Sequence, residues 1–191
     1  MDLGCGNGRV HELFDADKNI EYYGLDLSKE LIKHAKAKVP SGHFVVGDLL
    51  NTPYEDAEFD FVISAATLHH IPSNKSRLEA IKEIYRITKP GGYILITNWY
   101  FWNKPFYVRR VLQSFWGQIR GLSKLEPGDF FMAWRDGSGK IITKRYFHAW
   151  RKAELRNTLK KVGFEIVRVS LYFKRDKKVG NNLIAIARKP K

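Results

Sequence analysis

The chain has 191 residues, of which 44% are hydrophobic and 28% charged, and its formal net charge is +13. This length and composition suit one globular domain with its own core and exclude a disordered tail. The single cysteine excludes a disulfide framework and a multi-cysteine zinc site, and no apolar run approaches the ~20 residues needed to cross a bilayer. We therefore expect a cytoplasmic protein with no metal site, no secretory leader and no membrane partner.

The charge is divided unevenly along the chain. Residues 1–98 contain 11 Lys and Arg against 14 Asp and Glu, whereas residues 99–191 contain 22 against 6. A dense excess of cations on one part of a fold favours a polyanionic partner such as RNA through counterion release. A lysine-rich face that only keeps the protein in solution explains the composition equally well, so the charge alone leaves both explanations open.

Strand and helix signals alternate through the first half. A glycine-rich turn at residues 4–8 leads into a short helical pattern. The elements that follow are strand 20–25, a helix capped by Ser28, strand 43–46, strand 59–65, a helix capped by Ser73, and strand 93–97. Strands separated by helices pair in parallel through right-handed crossovers. The sequence therefore predicts an α/β sheet, with its first strand clipped because only Asp2 and Leu3 stand between Met1 and the turn.

Aromatic and basic residues become frequent in the second half. The predicted elements are a helix from Pro105 to Ile119, a loop-rich stretch at 120–145, a helix from Arg151 to Val162, and strands at 164–173 and 183–188. The lysine-rich segment between the two strands suits a hairpin, so this pair should be antiparallel. Four consecutive aromatic residues at 99–102 cannot all face one core from one strand, so we expect some to line a cleft or meet a partner.

Three carboxylates are spaced to meet at one edge of the predicted sheet. Asp2 stands two residues before the first glycine of the turn, Asp26 ends the next strand, and Asp48 ends the strand after that. Open α/β sheets bind ligands at the carboxyl ends of their parallel strands, where glycines let a ligand approach the backbone. These positions suit a ligand whose amino group meets Asp2, whose ribose hydroxyls donate to Asp26 and whose adenine donates to Asp48.

This series of motifs resembles the class I S-adenosylmethionine-dependent methyltransferases. The resemblance covers residues 1–98 and includes Asp2-Leu3-Gly4-Cys5-Gly6-Asn7-Gly8, Asp26, Asp48, Phe59-Asp60-Phe61-Val62 and Lys89-Pro90-Gly91-Gly92. It implies a Rossmann-like fold with a mostly parallel seven-stranded sheet, an antiparallel last strand, and S-adenosylmethionine as cofactor. The implied cofactor residues are Asp2, Gly4, Cys5, Gly6, Asn7, Gly8, Asp26, Leu27, Asp48, Leu49 and Ser64. Cys5 is expected to pack and not to act as a nucleophile, since no activating partner is evident.

The second half is similar to the tRNA wobble-uridine carboxymethyl methyltransferases, which form the methyl ester of 5-carboxymethyluridine. The similarity is carried by residues 129–134, by Arg145-Tyr146-Phe147-His148 with Glu154-Leu155, and by the asparagines at 181–182. The chain departs from that pattern in a longer aromatic and basic insert at 99–128 and in lacking the family's N-terminal segment, so it looks N-terminally truncated. The resemblance implies tRNA as a partner. It also implies, from eukaryotic members, a small zinc-binding activator protein, for which residues 99–102 are a candidate surface.

The expected acceptor-side residues are His69, His70, Arg145 and His148. The histidine pair follows the fourth strand and reaches the mouth of the expected pocket, and we hypothesise that one of the pair, with Arg145 and His148, holds the carboxylate of the substrate. The alternative for each of the pair is a hydrogen bond to a loop carbonyl. A carboxylate acceptor is already ionised and needs no general base, so catalysis would be mainly alignment, which supplies roughly 7–11 kcal/mol.

The sequence thus predicts one methyltransferase domain, residues 1–191. It would consist of a cofactor-binding half at 1–98 and a basic substrate-binding half at 99–191 with an insert at 99–145. The first hypothesis for its function is methylation of the carboxymethyl group of a modified wobble uridine in tRNA. Two alternatives stay open: a small-molecule methyltransferase of the quinone or metabolite type, and a catalytically inactive RNA-binding remnant.

Overall fold

The computed structural model describes residues 1–14, 19–122, 124–172 and 182–191. Its strands are β1 (Asp2–Leu3), β2 (Tyr23–Asp26), β3 (His43–Val46), β4 (Phe59–Ala65), β5 (Thr88–Trp99), β6 (Asp129–Arg135), β7 (Ile141–His148), β8 (Glu165–Tyr172) and β9 (Asn182–Arg188). Its helices are α1 (Lys29–Lys38), α2 (Asn74–Ile87), α3 (Pro105–Ile119) and α4 (Lys152–Val162), with 3-10 turns at Arg9–Leu13 and Leu68–His70.

Seven strands form one sheet in the order β3-β2-β1-β4-β5-β9-β8. The pairings among β1 to β5 are all parallel, and β9 runs antiparallel to both of its neighbours, β5 and β8. This confirms the predicted Rossmann-like methyltransferase sheet with an antiparallel last strand. The strand β1 has two residues, Asp2 and Leu3. The lysine-rich connection between β8 and β9, with Phe173 and Asn181, lies outside the described residues.

Side-chain caps start the two helices where the sequence placed them. The Ser28 hydroxyl accepts a hydrogen bond from the Leu31 amide at 3.3 Å, and the Ser73 hydroxyl accepts from the Ser76 amide at 3.1 Å. Each cap satisfies one of the amide donors that a helix leaves unpaired in its first turn. The helices α1 and α2 therefore begin directly after these serines, at Lys29 and Asn74.

The sequence predicted a loop at residues 120–145, but residues 129–135 and 141–145 of this stretch belong to strands. The strands β6 and β7 pair antiparallel as a separate two-stranded sheet, with Phe130 opposite Phe147 and Trp134 opposite Thr143. The turn residues Asp136-Gly137-Ser138-Gly139 form the tight end of this hairpin, where the Asp136 carboxylate accepts from the amides of Ser138 and Lys140. Such Asx-type bonds are a reason that Asp favours turns, and here they close a hairpin.

Apolar side chains pack in three clusters. The largest lies on the face of the sheet that carries α2 and α4, and a second joins α1 to the opposite face. The third connects α3 to the hairpin and consists of Phe101, Val111, Phe130, Phe147 and Ala149. Because this third cluster also touches the 3-10 turn at Leu68–His70, it fixes the hairpin beside the carboxyl end of β4.

A buried network of charges ties the hairpin to the rest of the fold, and we call it the clasp. Arg77 of α2 donates to the Asp129 carboxylate at 3.3 Å, to the Tyr146 hydroxyl at 2.7 Å and to the Glu126 carboxylate at 2.8 Å. His148 lies 2.7 Å from Asp129 through Nδ1 and 2.8 Å from Glu154 of α4 through Nε2. Both nitrogens face carboxylates, which only accept, so the ring is protonated here.

The clasp shifts the pKa of two of its members. Burial opposes a charge on His148, but the carboxylates of Asp129 and Glu154 outweigh it and raise the pKa of this histidine. Burial likewise opposes the charge on Asp129, but hydrogen bonds with His148 and Tyr146 and the charge of Arg77 hold the pKa of this carboxyl below its usual range. The charged pair is therefore the stable form inside the fold.

We predict a pH-dependent contribution of the clasp to stability. The His148 contribution is present in full below its unfolded pKa of about 6.5 and is lost as the pH rises through the raised folded pKa. The Asp129 contribution is present above its unfolded pKa of about 4 and is lost as the pH falls through the depressed folded value. Urea unfolding of the wild type should show the free energy of unfolding declining as the pH rises above about 6.5 and through the raised pKa of His148, and this decline should shrink in His148→Gln.

The matched control is His34→Gln, because His34 is exposed on α1 and meets Glu30 only at 3.8 Å. This variant should keep the wild-type decline of the free energy of unfolding with pH.

Arg77→Met should lower the free energy of unfolding by about 3–5 kcal/mol at neutral pH, since it leaves Asp129 charged and buried without its cation. An unchanged pH profile in His148→Gln would mean that the clasp carries no ionised pair.

Candidate active site

Polar groups from five neighbouring strands meet at one edge of the sheet. In spatial order they are Asp48 after β3, Asp26 at the end of β2, the Gly4 turn after β1, Ser64 near the end of β4, and Asn98 near the end of β5. All five strands run in parallel, so these are all carboxyl ends. This is the edge at which open α/β sheets bind their ligands.

The glycine turn is held by backbone hydrogen bonds and leaves room beside it. The amides of Gly4 and Cys5 donate to the Leu25 carbonyl at 2.7 and 3.0 Å, and the Gly6 amide donates to the Asp26 carboxylate at 2.9 Å. Gly6 has a φ of +55°, and a Cβ built on it would meet nothing within 4 Å. A ligand can therefore lie directly against the backbone at Gly6, as an adenosyl cofactor requires.

Asp26 is positioned as a double acceptor. Its two carboxylate oxygens accept from the amides of Gly6 and Ser28, each at 2.9 Å, and each oxygen retains a lone pair for a further donor. The neighbouring Leu27 side chain is 70% exposed and offers an apolar surface at the same edge. Paired acceptors beside an apolar side chain fit a ribose with its attached base.

The adenine side of the expected pocket differs in one respect from the sequence prediction. The Asp48 carboxylate accepts from the Leu50 amide at 2.9 Å and stays at the edge of the sheet. The Leu49 side chain, expected to bracket the adenine, instead packs in the largest core cluster. Leu27 is the apolar side chain that this edge exposes, so it is better placed than Leu49 to contact a base.

Asp2 lies beneath the glycine turn and is fully buried. Its Oδ2 accepts from the Tyr22 hydroxyl, and its Oδ1 has no hydrogen-bond partner in the described part of the chain. Burial raises the pKa of the Asp2 carboxyl to about 6. An unpaired buried oxygen is costly, and a nearby cation would remove that cost. Its position suits electrostatic support of a positively charged cofactor from below.

The remaining turn residues have simple roles. Cys5 is buried in the cluster below α1, and burial raises the pKa of its thiol, which agrees with a packing residue. Asn7 is exposed at the tip of the turn. Gly8 has a φ of +77° and starts the 3-10 turn that follows. Only glycine adopts this left-handed conformation without strain.

Thr67 packs directly on the glycine turn, a contact that the sequence analysis missed. A Cβ built on Gly4 would lie 2.2 Å from the Thr67 hydroxyl oxygen, so no larger residue fits there without displacing this side chain. The Thr67 hydroxyl is 3.4 Å from the Gly4 carbonyl and 3.2 Å from the Ala65 carbonyl. Gly4 is therefore required for contact with the 3-10 turn Leu68–His70, which we call the histidine turn and which Thr67 precedes.

His69 is buried and electrically neutral. Its Nδ1 lies 3.2 Å from the Asn98 side-chain oxygen, and burial with the neighbouring His70 lowers its pKa to about 3. The Asn98 oxygen only accepts, so Nδ1 carries the proton and Nε2 does not. A neutral ring with its one proton already donated cannot hold a carboxylate. The structure therefore does not support His69 in the carboxylate-holding role.

Asn98 is a site residue that the sequence analysis did not identify. Its buried side-chain nitrogen has no hydrogen-bond partner among the described residues, and neither does the hydroxyl oxygen of Ser64 on the adjacent strand. Buried polar groups are rarely left unpaired, so both indicate a polar ligand at this edge. Strand alternation could have revealed Asn98, since it follows the buried positions Ile94 and Ile96 on the same face.

His70 and Arg145 lie together on the open side of the histidine turn. His70 donates through Nδ1 to the Tyr146 carbonyl at 3.1 Å, which leaves Nε2 as an acceptor in the neutral ring. Burial and the charge of Arg145 lower the pKa of His70. The Arg145 guanidinium stacks over the Trp134 ring, 3.7 Å from its centroid. Of the four expected acceptor-side residues, these two remain available to a substrate.

The structure places His148 away from any substrate. Both of its ring nitrogens are bound in the clasp, and the side chain is 1% exposed. The expectation that it holds the substrate carboxylate is therefore replaced by a structural role in fixing β7. Trp150 is also buried, and the Tyr146 hydroxyl accepts from Arg77.

The four aromatic residues at 99–102 divide between core and surface. Phe101 is buried in the third cluster, Tyr100 packs against the first, and the Trp102 indole donates to the Ala149 carbonyl at 2.8 Å. Trp99 stays 38% exposed and stacks on His69 with a centroid separation of 5.5 Å. The predicted division is confirmed, and Trp99 is the member that faces the site.

Comparison with known proteins agrees with this geometry. A family model described as a methyltransferase domain matches residues 1–96, half of the chain. The tRNA (carboxymethyluridine(34)-5-O)-methyltransferase of Schizosaccharomyces pombe is 28% identical, with 87% of this chain and 73% of that protein covered. The protein of the same name from Arabidopsis thaliana is 39% identical over 99 residues, and the chain covers 23% of its length.

Solved structures share the fold over almost the whole chain. A SAM-dependent methyltransferase from Methanosarcina mazei superposes with a TM-score of 0.78 at 28% identity, covering 99% of this chain and 91% of that one. The methyltransferase in complex with the Haloferax volcanii Trm112 methyltransferase activator gives a TM-score of 0.69 at 19% identity, covering 100% and 81%. The chain therefore belongs to the methyltransferase domain family and is an S-adenosylmethionine-dependent methyltransferase.

Proposed function

We propose that the chain methylates a carboxylate on a modified uridine of tRNA, the carboxymethyl group at the wobble position. The observation that carries this proposal is the chemistry of the acceptor side. Arg145 and the Asn98 amide supply donors, while His69 is neutral and the carboxylates Asp129 and Glu154 are bound in the clasp. Donors of this kind suit an acceptor that is already ionised, since such an acceptor needs orientation and not deprotonation.

The cofactor, when bound, supplies an electrophilic methyl group on a sulfonium. In this chain, the cofactor would lie against the backbone at Gly6. Asp26 would bind its ribose and Leu27 would contact its base, while Asp2 would offset its positive charge from below. Arg145 and Asn98 would orient the substrate carboxylate toward the methyl group. Trp99 and the third cluster would keep water from one side of the bound substrate, which would strengthen these charged contacts.

The surface next to the site supports an RNA substrate. Two exposed aromatic rings lie beside the site: Trp99, which stacks on His69 and Phe147, and Trp134 of the hairpin, which lies against Arg145. The hairpin strands and turn also carry Arg135, Lys140, Lys144 and Arg145. Aromatic rings that stack bases, combined with cations that meet phosphates, are the usual means of binding single-stranded RNA. The Schizosaccharomyces pombe relative is named for this substrate.

We extend the proposal to a small activator protein. The structural neighbour from Haloferax volcanii was solved with the Trm112 methyltransferase activator. The candidate surface at residues 99–102 is narrower than the sequence suggested, because Phe101 is buried and only Trp99 is more than one-third exposed. Activity assays should therefore be performed both with and without an activator of this class.

Labelled S-adenosylmethionine incubated with total tRNA should transfer its label to a nucleoside whose methyl group mild base removes. A methyl ester is hydrolysed under these conditions, whereas a ring or ribose methyl group survives. The control reaction contains tRNA from cells that lack carboxymethyluridine and should stay unlabelled. Base-stable label on tRNA, or label on small metabolites alone, would contradict the proposed substrate, and the second outcome would favour a small-molecule methyltransferase.

Replacing Arg145 with Gln should lower kcat by about 100-fold, because the substrate carboxylate loses the cation that aligns it. The matched control is Lys144→Gln, which removes a cation from the next position, on the opposite face of the same strand. Turnover at saturating cofactor and tRNA distinguishes the two variants. Equal effects of both substitutions would show that Arg145 acts only through general attraction of RNA.

Replacing Asp26 with Asn should weaken cofactor binding by about 10- to 100-fold, since a charged acceptor of hydrogen bonds is worth about 1.5–3 kcal/mol. Calorimetric titration with S-adenosylmethionine measures this change directly. Asp60→Asn is the control, because Asp60 lies at the amino end of β4 and pairs with Lys89 at 2.8 Å. Wild-type affinity in Asp26→Asn would remove Asp26 from the cofactor site.

A further inference from the structure

The helix α3 packs on the protein along one side and is exposed along the adjoining side. Its inner side contacts the hairpin strand β6 and buries Val111 in the third cluster. Its outer side exposes large apolar side chains, which we call the α3 apolar face. Their exposed fractions are 49% for Leu112, 40% for Phe115, 57% for Trp116, 60% for Ile119 and 80% for Leu122 just beyond the helix end.

The α3 apolar face is continuous. Residues 112, 115, 116 and 119 follow the i, i+3, i+4, i+7 spacing that places side chains in one stripe of a helix. Trp102 joins Leu112 and Trp116 in lining a groove at the start of the stripe. Contiguous exposed apolar side chains of this size usually mark a surface on which something binds.

The charges around this stripe have a single sign. Residues 99–125 contain five cations, Lys104, Arg109, Arg110, Arg120 and Lys124, and no Asp or Glu. Arg110 stacks over Phe106 at 5.4 Å and Lys104 over Tyr107 at 5.8 Å, so two of the cations lie against aromatic rings of the helix. An occupant must therefore combine an apolar interior with a negatively charged surface.

We propose that α3 binds the surface of an anionic lipid bilayer. The helix would lie in the plane of the interface, with its apolar face among the upper acyl chains and its Arg and Lys side chains reaching the phosphates. Among the described residues, no helix is long and apolar enough to cross a membrane. The sequence expectation of no membrane partner was based on spanning segments, and a helix that lies on the surface is a different mode of binding.

Other occupants fit these observations less well. A second copy of the chain would bring five further cations against the first five, and like charges at an interface are unfavourable. RNA would satisfy the cations and the aromatic rings but offers no apolar surface for Leu112, Ile119 and Leu122. A lipid surface satisfies both requirements.

The location of α3 gives this binding a consequence for the enzyme. Phe101 of the third cluster contacts the inner side of α3 and also the His69 ring, whose centroid is 6.2 Å away. A bilayer under α3 would therefore lie near the acceptor side of the active site. This inference goes beyond the proposed function and stands whichever acceptor is methylated.

Sedimentation of the full chain with lipid vesicles tests the proposal without reference to activity. The protein should sediment with vesicles of phosphatidylglycerol and phosphatidylcholine and remain in the supernatant with phosphatidylcholine alone. Leu112→Ser/Trp116→Ser should reduce binding by about tenfold or more through lost apolar burial. Arg109→Gln/Arg110→Gln should reduce it by about tenfold or more through lost attraction to the lipid charges.

The matched control is Ile142→Ser/Val167→Ser, which removes two exposed apolar side chains elsewhere and should bind like the wild type. Trp116 fluorescence should be quenched by lipids brominated on the acyl chain, and Trp116→Phe should remove most of that quenching. Equal losses in the control variant, or vesicle binding unaffected by Leu112→Ser/Trp116→Ser, would overturn the proposal. It would also be overturned if that variant abolished a dimer or RNA binding and left vesicle binding intact.

Discussion

The close contact between Gly4 and Thr67 couples the two halves of the active site. The glycine turn holds the positions expected for the cofactor, and Thr67 begins the turn that carries His69 and His70. A Cβ at Gly4 would lie 2.2 Å from the Thr67 hydroxyl oxygen, so the absence of a side chain permits the two turns to touch. The donor and acceptor in a displacement must be aligned within fractions of an ångström. The lack of a side chain at Gly4 therefore matters for catalysis as well as for packing. Asn98 then joins the same unit through its hydrogen bond to His69.

The clasp extends this constraint to the hairpin. A buried ion network is a poor source of net stability, since desolvation costs about as much as the attraction returns. Its value here lies in position: Arg77 on α2 and Glu154 on α4 hold Asp129 at the start of β6 and His148 at the end of β7. Strand pairing carries that position outward to Arg145, opposite Met132 on β6. The β6–β7 hairpin is therefore fixed at the end that carries Asp129 and His148, while its turn end stays exposed to meet a substrate.

The sequence predicted regular elements well and buried polar contacts poorly. The bounds of β3, β4 and α3 agree with the structure, because hydrophobic period and caps are local signals. The hairpin at 129–148 was missed because its turn residues are equally typical of a loop, and its strands pair only with each other. His148 was placed in the site because it belongs to the motif Arg145-Tyr146-Phe147-His148, which carries the resemblance to the tRNA methyltransferases. Its two carboxylate partners come from β6 and α4, and such non-local pairing cannot be deduced from spacing.

The distribution of cations also shows why composition alone left the function open. The basic excess of residues 99–191 is divided between surfaces of different chemistry. On the hairpin, the cations accompany Trp134 and Phe131, flat rings that suit bases. On α3, the exposed surface also contains Leu112, Ile119 and Leu122, aliphatic side chains that gain nothing from a base but gain from acyl chains. Since counterion release is common to RNA and anionic lipid, the apolar neighbours of each cation, and not the net charge, decide which polyanion a surface prefers.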